Sequence, residues 1–477
     1  MAVETLSPER VEAARDALAA SRPLFSARRR FSTPQALGLL ALVGALMFAA
    51  SAKPVAFVLA LNTALLLLFA AFATLRWAAL FAHLDRRRRA PREEPEPERW
   101  PFYSIVAALH REPEHARRLA WTLAALDYPA ERREILLVCE ADDRATLDAL
   151  TSGPLPQGVR ILRLPDIAPR TKPKACSAAL SVARGELVVL YDAEDTPAPD
   201  QLKRAAARFA SSPESLACLQ TRLRYADARR NWLSRQFDIE YAGHFDILLP
   251  LLSAWRLPLP LGGAGNHFRL SALKAVGGWD PFNVTEDADL GYRFAALGYR
   301  TEVLDSTTWE LATSALGPWT AQRARWVKGY LQTLLVHTRR PILHALGAGP
   351  AAYIWMLTVL GGSIASYFLY PLLFAYAIAC LVFGVETSVF DPRGPLFALN
   401  ATLAIYGGLA AYATVIAGAL NRRVASGARL LWLLLTTPIY RFWCSAAALA
   451  GFADLCLRPH HWRKTPHPLP GARPIFA

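Results

Sequence analysis

The sequence predicts an α/β fold in which a doubly wound domain is inserted between transmembrane and interfacial helices. Over residues 101–310, short apolar runs alternate with amphipathic stretches, which is typical of strands followed by helices. Long apolar stretches lie before and after that region. The chain has 477 residues, of which 53% are hydrophobic. This composition excludes a disordered protein and fits a membrane protein that carries a sizeable soluble domain.

The formal net charge is +14, and its distribution indicates a membrane rather than nucleic acid as the partner. Arginines cluster beside the hydrophobic stretches, at 27–30, 85–89 and 421–423, as expected for the cytoplasmic flanks of membrane helices. No recognisable nucleic-acid-binding module accompanies them. The six cysteines are scattered without a Cys-x-x-Cys pair, so neither a zinc site nor a disulfide framework is predicted.

The first hundred residues are predicted to place a membrane hairpin before the soluble domain. Residues 1–34 are a polar cytoplasmic segment with a helix that begins near Ser7 and Pro8. Residues 35–85 contain two apolar stretches and are predicted to be a transmembrane hairpin. Because arginines flank the hairpin on both outer sides, both of its ends should lie in the cytoplasm. Residues 86–100 are rich in proline and charge, as in a linker.

The soluble domain is predicted to contain a mostly parallel sheet. The predicted strands are 103–109, 134–140, 159–165 and 186–192, and the clearest predicted helices are 113–126 and 173–184. Sheets of this kind bind ligands beyond the carboxyl ends of their strands. Acidic residues collect at those ends, so we expect the functional site there.

The C-terminal part is predicted to return to the membrane. Residues 311–345 should contain an interfacial helix, and residues 346–457 the C-terminal transmembrane and interfacial helices. The segment 428–452 contains a proline and an arginine, so its path is ambiguous. If it is re-entrant or interfacial the chain has four spans, which we prefer; otherwise it has five or six. The basic tail, 458–477, is predicted to be cytoplasmic.

Two carboxylates follow the predicted strand 186–192 on the same side of the chain. Asp192 and Glu194 point the same way because side chains alternate with a period of two, and Asp195 is adjacent. Carboxylates so placed repel each other unless a cation lies between them, and a hard divalent ion, Mg²⁺ or Mn²⁺, is the natural partner. The alternative is a solvated acidic turn before a helix.

A second acidic group opens a predicted helix after residue 284. Thr285 can cap that helix, and the helix dipole favours Glu286, Asp287 and Asp289 in its first turn. Capping is a complete structural explanation for acids at this position. Three carboxylates nevertheless exceed what capping requires, and one of them could serve as a general base.

Three further groups are candidates for ligand contacts. Lys172 and Lys174 lie at a predicted helix start, which suits an anion. Glu140 and Asp142 follow a strand, where they could hold a base or ribose or could simply be solvated. A glycine-rich turn at 261–265 precedes His267, which we expect to be a structural histidine rather than a base.

The stretch 322–329, QRARWVKG, combines polar and aromatic side chains just before a long apolar run. On a helix, Gln322, Arg325 and Trp326 share one face. An amide, a guanidinium and an indole make a poor core, and they suit a polar ligand that contains a ring. The alternative is an interfacial anchor of Trp, Arg and Lys.

These motifs, in this order and between membrane segments, resemble those of the membrane-embedded processive family 2 glycosyltransferases. Cellulose, hyaluronan and mixed-linkage glucan synthases belong to that group. The resemblance implies a GT-A-like nucleotide-sugar-binding fold. It also implies that Asp192 and Glu194 bind the metal and diphosphate, although the family more often has Asp where Glu194 stands.

The resemblance implies further roles, residue by residue. Asp287, within the motif Thr285-Glu286-Asp287, matches the general base. Gln322, Arg325 and Trp326 match the motif that holds the acceptor sugar and the diphosphate. Lys174 resembles a nucleotide-contacting lysine. The uridine-holding positions correspond to His110, Glu112, Glu140 and Asp142, with Arg111 where the family usually has Asn.

The implied activity is an inverting polymerisation of a β-linked polysaccharide, with a glucan made from UDP-glucose favoured. The product would pass through the protein's own transmembrane channel, in a bacterial-type inner membrane with the catalytic domain in the cytoplasm. The implied partners are a UDP-sugar donor, a growing glycan and membrane lipid, with room for export or regulatory partner chains. The alternative within the enzyme class is transfer of a single sugar to a lipid or short acceptor. A nucleotide-driven transporter would need a GxxxxGK[ST] phosphate loop, and the sequence has none.

Overall fold

A computed structural model describes residues 3–88, 94–383 and 395–461. Its strands form a single nine-stranded sheet in the order β1-β4-β3-β2-β5-β8-β7-β9-β6. The strands are β1 (Val3–Thr5), β2 (Tyr103–Leu109), β3 (Arg133–Glu140), β4 (Val159–Leu164), β5 (Leu187–Tyr191), β6 (Thr196–Pro197), β7 (Leu216–Tyr225), β8 (Asn266–Arg269) and β9 (Arg300–Glu310). All four strands predicted from the sequence are present.

The sheet has a parallel half and a mixed half. The first five strands in its order, β1 to β5, pair in parallel. Strand β8 is antiparallel to both β5 and β7, and β6 is antiparallel to β9. The expectation of a mostly parallel sheet is therefore confirmed, with the antiparallel insertion of β8 as the feature that the sequence pattern did not predict.

Seventeen α-helices surround or extend from the sheet in the described part of the chain. They are α1 (Pro8–Ser21), α2 (Thr33–Ala52), α3 (Pro54–Arg86), α4 (Pro113–Ala124), α5 (Arg144–Thr151), α6 (Lys172–Leu180), α7 (Gln201–Ala210), α8 (Trp232–Tyr241), α9 (Leu249–Ala254), α10 (Leu270–Ala275), α11 (Glu286–Ala296), α12 (Leu316–His337), α13 (Pro341–Ala348), α14 (Pro350–Met356), α15 (Gly362–Phe383), α16 (Pro395–Asn421) and α17 (Gly427–Leu457). Short π-helical stretches join α8 to α9 and α14 to α15.

Both faces of the sheet are buried, as a doubly wound fold requires. In β2, Val106 faces one hydrophobic core while Ile105 and Ala107 face the other, because side chains alternate across a strand. Helices α4 and α7 cover the second face. The first face packs against α6, α11 and the last third of α3, so the helical hairpin and the α/β domain share one core.

The N-terminal segment contributes to the sheet as well as preceding the hairpin. The helix expected near Ser7 is α1, and the Ser7 hydroxyl accepts a hydrogen bond from the backbone N–H of Arg10. Before it, β1 adds a parallel edge strand beside β4. A three-residue strand carries too little periodicity for the sequence to reveal it.

Five helical segments in the described residues are long and apolar enough to cross a membrane. They are Thr33–Ala52, Pro54–Arg86, Pro350–Leu372, Leu396–Asn421 and Gly427–Leu457. The last of these, α17, is one unbroken helix of 31 residues, so the expectation of a re-entrant turn at 428–452 is wrong in that form. Residues 384–394, whose acidic sequence is predicted to suit a loop on the outer side, and most of the basic tail, 462–477, lie outside the described residues.

Helix α17 contacts the α/β domain near its start and helix α12 near its end. Near its start, the backbone carbonyl of Leu433 accepts a hydrogen bond from Gln236 at 2.7 Å. Near its end, the carboxylate of Asp454 pairs with Lys328 of α12 at 2.7 Å. A Cβ at Gly451 would lie 2.4 Å from a backbone oxygen of α12, so a glycine permits this close approach. Helix α17 therefore runs along α12.

Candidate active site

A cavity of about 370 Å³ lies beyond the carboxyl ends of β2, β3 and β5 and continues between the membrane helices. It collects most of the residues that the sequence singled out. Those lining it are His110, Glu112, Glu140, Asp192, Glu194, Thr285, Glu286, Asp287, Gln322, Arg325 and Trp326. Asp142, Lys174 and Asp195 do not line it.

The three acids after β5 divide into two groups. Asp192 and Glu194 face the cavity, as the period of two predicts. Asp195 is only 1% exposed, and its Oδ2 accepts a hydrogen bond from the backbone N–H of Asp192 at 2.7 Å. Asp195 therefore shapes the turn that presents Asp192, and its predicted place among the metal ligands is not supported by its position.

The remaining acids suit a hard cation that is bound together with phosphate oxygens. Glu310, at the end of β9, also lines the cavity. Burial, and then the charges of Glu194 and Asp192, raise the pKa of Glu310 well above its usual range, which is the crowding that a cation relieves. Among the described residues no group of three or more His, Cys, Asp or Glu is arranged to hold a metal ion by itself. Mg²⁺ is commonly held by one or two carboxylates plus substrate phosphates, and Asp192 and Glu194 match that donor set.

The lysine that reaches the cavity is Lys172 rather than Lys174. Lys172 pairs with Asp192 (Nζ to Oδ1, 2.5 Å) and donates to the backbone oxygen of Gly263 at 2.9 Å. Lys174 is fully buried, where it pairs with Glu140 at 2.8 Å and donates to the backbone oxygen of Ile167. The sequence placed both lysines at the start of α6 but could not tell which one turns toward the strand ends.

At the start of α11, Glu286 and Asp287 line the cavity while Thr285 occupies the N-cap position. The expected side-chain cap is wrong, because no capping bond forms from Thr285. Its backbone N–H donates instead to Asn283 Oδ1 at 3.0 Å. Asp287 Oδ1 accepts a hydrogen bond from the backbone N–H of Ala288 at 2.7 Å. The other carboxylate oxygen, Oδ2, takes no part in that bond.

Asp289, the third acid of this turn, has a structural role. Its carboxylate is fully buried between Arg293 at 2.8 Å and His337 at 3.0 Å. Since side chains two residues apart on a helix point in different directions, Asp287 and Asp289 face different surroundings. Asp289 is therefore a core residue, whereas Glu286 and Asp287 line the cavity.

The two cavity-facing acids are electrostatically suited to accept a proton. Burial, followed by the neighbouring charge of Asp287, raises the pKa of Glu286 to about 7. Burial also raises the pKa of Asp287. Carboxylates with pKa values raised toward neutrality are typical of general acid–base sites.

A glycine lies where the two acidic groups converge. A Cβ built at Gly263 would lie 3.2 Å from Asp287 Oδ2 and 3.9 Å from both Asp192 Oδ2 and Lys172 Nζ. The candidate base and the candidate diphosphate-binding acid therefore face the same small volume. The glycine-rich turn supplies the space there, as the sequence suggested in general terms.

Helix α12 presents Gln322, Arg325 and Trp326 to the cavity on one face, as predicted. Arg325 Nη1 donates to the backbone oxygen of Val284, just before the acidic turn, at 3.3 Å. Gln322 accepts from the hydroxyl of Thr313 at 3.2 Å. Trp326 offers its indole to the cavity from one side of the chamber.

Arg323, within the same motif, organises the wall behind Trp326. Its guanidinium bonds both carboxylate oxygens of Glu240 and the hydroxyl of Tyr440. Its Cζ lies 5.2 Å from the Trp326 ring centroid, a cation–π geometry. Sequence reasoning missed Arg323 because it lies between the motif positions, and its partner Glu240 carries no motif of its own.

The nucleotide-side candidates lie along the ends of β2 and β3. His110, Glu112 and Glu140 line the cavity, whereas Asp142 pairs with Arg170 at 2.9 Å and is partly exposed. Arg111 has a φ of 56°, a left-handed conformation that turns the chain sharply after β2.

His267 is buried away from the cavity, as expected. Its Nδ1 hydrogen-bonds the hydroxyl of Tyr103 at 2.7 Å, and its Nε2 lies 3.2 Å from Gln201 Oε1. Burial lowers the pKa of His267 to about 3, so the ring is neutral. It holds β8 within the sheet.

The chamber extends toward the membrane between α3, α15, α16 and α17. Side chains on those helices that line it include hydroxyls and guanidiniums as well as apolar groups. They are Phe72, Arg76, Ser363, Ser366, Tyr367, Thr414, Thr437 and Arg441. The site is therefore continuous with the interior of the helical part of the chain.

Comparison with known proteins defines the class of this domain. Residues 97–329 match the sequence model of the family described as glycosyltransferase like family 2. Residues 97–329, just under half of the chain, are therefore similar to glycosyltransferases of family 2, and the mixed α/β sheet is GT-A-like.

Two relatives indicate the range of proteins that share this domain. The beta-monoglucosyldiacylglycerol synthase of Synechocystis sp. is 29% identical over 249 residues, which are 50% of this chain and 50% of that protein. The probable glucomannan 4-beta-mannosyltransferase 1 of Arabidopsis thaliana is 25% identical over 241 residues, which are 49% of this chain and 43% of that protein. The chain spans about half the length of these curated relatives.

Among solved structures, the chain is similar to the mannosyltransferase PcManGT of Pyrobaculum calidifontis, determined in complex with GDP-Man and Mn²⁺. The identity is 19%, the match covers 81% of this chain and 98% of that chain, and the TM-score is 0.48.

Proposed function

We propose that this protein is a membrane-bound inverting glycosyltransferase that moves a hexose from a UDP-sugar to an acceptor entering from the membrane side. The single observation that carries the proposal is the meeting of Asp287, Asp192 and Lys172 around Gly263, each within 4 Å of its absent Cβ. A base and a diphosphate-binding pair must both reach the sugar's anomeric carbon, and this arrangement brings them into one chamber.

The proposed reaction is a single displacement. Asp287 takes the proton of the acceptor hydroxyl, whose oxygen forms a bond to the anomeric carbon of the donor. The bond from that carbon to the phosphate oxygen breaks, and its electron pair leaves with UDP. The attack comes from the face opposite the leaving group, so the configuration inverts and no covalent enzyme intermediate is needed.

The chain's own residues would hold the leaving group and the acceptor. Lys172 and Arg325 supply positive charge to the diphosphate, with Arg325 able to form a two-pronged contact. Asp192 and Glu194 would hold Mg²⁺ or Mn²⁺, which when bound neutralises charge on the diphosphate. Trp326 supplies a flat apolar face for a sugar ring, and Gln322 an amide for its hydroxyls.

We infer an elongating enzyme that makes a β-linked glycan, with UDP-glucose as the favoured donor. The support is the Gln322-x-x-Arg325-Trp326 motif together with the continuation of the chamber between the membrane helices.

A second candidate is the transfer of one sugar to a lipid. It is favoured by the relative named beta-monoglucosyldiacylglycerol synthase and by the chamber volume of about 370 Å³, which leaves little room for a long acceptor beside a nucleotide sugar. The two candidates share the chemistry and differ in the number of transfers.

We propose four membrane spans and a cytoplasmic catalytic domain. Helices α2 and α3 form one hairpin, and α14–α15 and α16 form the other. Helix α17 would lie at the interface, because it contacts the α/β domain near its start and helix α12 near its end. Arginines flank the ends that join this domain, as the positive-inside rule requires of a cytoplasmic face.

The test is a donor screen on the detergent-purified full chain. UDP-glucose, UDP-N-acetylglucosamine, UDP-galactose and UDP-glucuronate would be offered separately with Mg²⁺ or Mn²⁺, and UDP release measured. We expect release with one donor, and sizing of the labelled product then decides between a polymer and a single addition. Absence of both nucleotide binding and UDP release with every donor would contradict the proposal.

A further inference from the structure

Two arginines at the membrane end of the chamber have charges that the protein does not balance. Arg76 of α3 and Arg441 of α17 both line the cavity. At about 1.5 Å per residue, Arg76 lies about 33 Å from the start of α3, close to the roughly 30 Å thickness of a hydrocarbon core. With α3 ending on the catalytic domain, Arg76 lies at the level of the lipid headgroups on that side.

The partners of these two guanidiniums are few. In the described part of the chain, Arg76 makes no hydrogen bond or ion pair, and its Cζ lies 4.6 Å from the centroid of the Phe72 ring. Arg441 reaches one acid, Glu240, at 4.0 Å, which is the outer limit of an ion pair. Guanidiniums that line a cavity at the headgroup level and have few protein partners are suited to a charge-assisted contact with phosphate.

Glu240 is already committed to other groups. Both of its oxygens are bonded by Arg323, and Oε2 also accepts from the hydroxyl of Tyr440 at 2.5 Å. The side chain of Arg323 is 5% exposed and that of Glu240 is 19% exposed, so this is the tight pair of the group. Glu240 is thus paired closely with Arg323 and only distantly with Arg441, at 4.0 Å, and Arg76 has no ion pair among the described residues.

General anchoring to the membrane surface does not explain this pair. Arginines that anchor a helix at a membrane surface lie at its ends and are exposed, as Arg87, Arg88 and Arg429 are. Arg76 and Arg441 come from different helices and project into one enclosed space. A neutral sugar chain or a neutral diglyceride would leave both charges unmet.

We propose that Arg76 and Arg441 bind the phosphate of an anionic lipid headgroup, so that the acceptor is a phosphate-bearing lipid with a free hydroxyl. This rests on the proposed transferase function and specifies the acceptor of its second candidate, the transfer of one sugar to a lipid. The position is suitable, because Arg323 links the pair to the sugar platform: it bonds Glu240, which Arg441 approaches, and lies over Trp326. A headgroup held by its phosphate at the arginines would extend its hydroxyl toward the acidic turn.

The test measures binding directly on the full chain in detergent. The probes are dioctanoyl phosphatidylglycerol, dioctanoylglycerol as the neutral analogue, and inorganic phosphate as the headgroup-only arm. Charge-assisted contacts to phosphate are among the stronger hydrogen bonds, so we expect Arg76→Gln and Arg441→Gln each to weaken phosphatidylglycerol binding about tenfold or more. Arg441→Lys, which keeps the charge, should retain part of the affinity.

The matched control is Arg429→Gln, an exposed arginine at the start of the same helix as Arg441. It should bind phosphatidylglycerol as the parent protein does, and all variants should keep nucleotide binding and the parent's thermal unfolding midpoint. The proposal would be overturned if the neutral diglyceride bound as tightly as phosphatidylglycerol. It would also be overturned if a variant with both Arg76→Gln and Arg441→Gln kept the parent's affinity for phosphatidylglycerol. Inorganic phosphate binding as tightly as the lipid would overturn the lipid source and indicate a free-phosphate site.

The two proposals fail in different ways. A protein that binds phosphatidylglycerol through the arginines but releases no UDP from any donor would contradict the transferase and leave the lipid site standing. Strong UDP release with elongation of a neutral glycan, and no dependence on either arginine, would support the transferase and contradict the lipid site.

Discussion

Replacing Asp289 by asparagine should lower the thermal stability of the protein, whereas the same replacement at Asp287, two residues earlier, should not. Both residues lie in the first turn of α11, and both lose one negative charge in the substitution. Asp289 is buried between Arg293 and His337, with side chains that are 0% exposed. Asp287 faces the chamber.

The size of the expected stability loss follows from the charge of Arg293, which the substitution leaves in the core. In the variant, Arg293 stays charged in the core without its negatively charged partner, and its acceptors, such as the backbone oxygens of Val276 and Gly278, are neutral. Breaking a buried pair by removing one partner costs about 3–5 kcal/mol. For a domain of this size that lowers the unfolding midpoint by about 10 °C.

The assay is thermal unfolding of the purified chain, with Asp287→Asn as the matched control. The pKa of Asp289 lies below its usual value because Arg293 and His337 outweigh the cost of burial. A lowered folded-state pKa means that the carboxylate stabilises the fold above the unfolded-state pKa of about 3.9. The difference in stability between the parent protein and Asp289→Asn should therefore be largest at neutral pH and shrink as the pH falls through the acidic range.

Burial raises the pKa of Asp287 instead, so replacing Asp287 by asparagine should leave the stability unchanged or slightly increase it. Equal losses of stability in both variants would refute this division of roles.

Three further predictions concern the chamber. Gly263→Ala would place a methyl group 3.2 Å from Asp287 Oδ2, so we expect at least tenfold slower UDP release with an unchanged unfolding midpoint. Unchanged turnover would contradict the conclusion that Asp287, Asp192 and Lys172 face one small volume. Burial raises the pKa of Asp287, the proposed base, and raises the pKa of the adjacent Glu286 to about 7. Because a base must be unprotonated to act, initial rates should fall as the pH is lowered from neutrality into the acidic range. A rate that is flat across this range would count against a carboxylate base in this turn. In Gly329→Ala, the new Cβ would lie 2.2 Å from Thr285 Oγ1, so α12 must move away from the acidic turn. We expect this variant to lose both activity, measured by UDP release, and stability, measured by thermal unfolding. Retention of both would show that the two elements are not rigidly packed.

The sequence predicted the elements whose residues follow one clear pattern. Strand β2 is a continuous apolar run because both faces of the sheet are covered there, and its predicted bounds match the structure. Strands β7 and β9 were not predicted. They carry Arg222, Arg224 and Asp305, whose partial exposure at the sheet's mixed end breaks the apolar pattern.

The candidate site was predictable where a motif carries it and less so where tertiary contacts decide. Gln322, Arg325 and Trp326 share a helix face, so spacing alone places them together. The choice between Lys172 and Lys174 depends on where Glu140 and Asp192 lie after folding, which spacing does not specify. Glu310 ends a strand that the sequence did not reveal, so no local signal marked it.

The most direct test of the central claim compares donor binding with turnover in Asp287→Asn. If Asp287 is the base in a chamber that binds the donor through other residues, the variant should bind the donor as the parent protein does and release UDP at least a hundredfold more slowly. UDP release within a few-fold of the parent rate would contradict the assignment of the base and, with it, this account of the chamber.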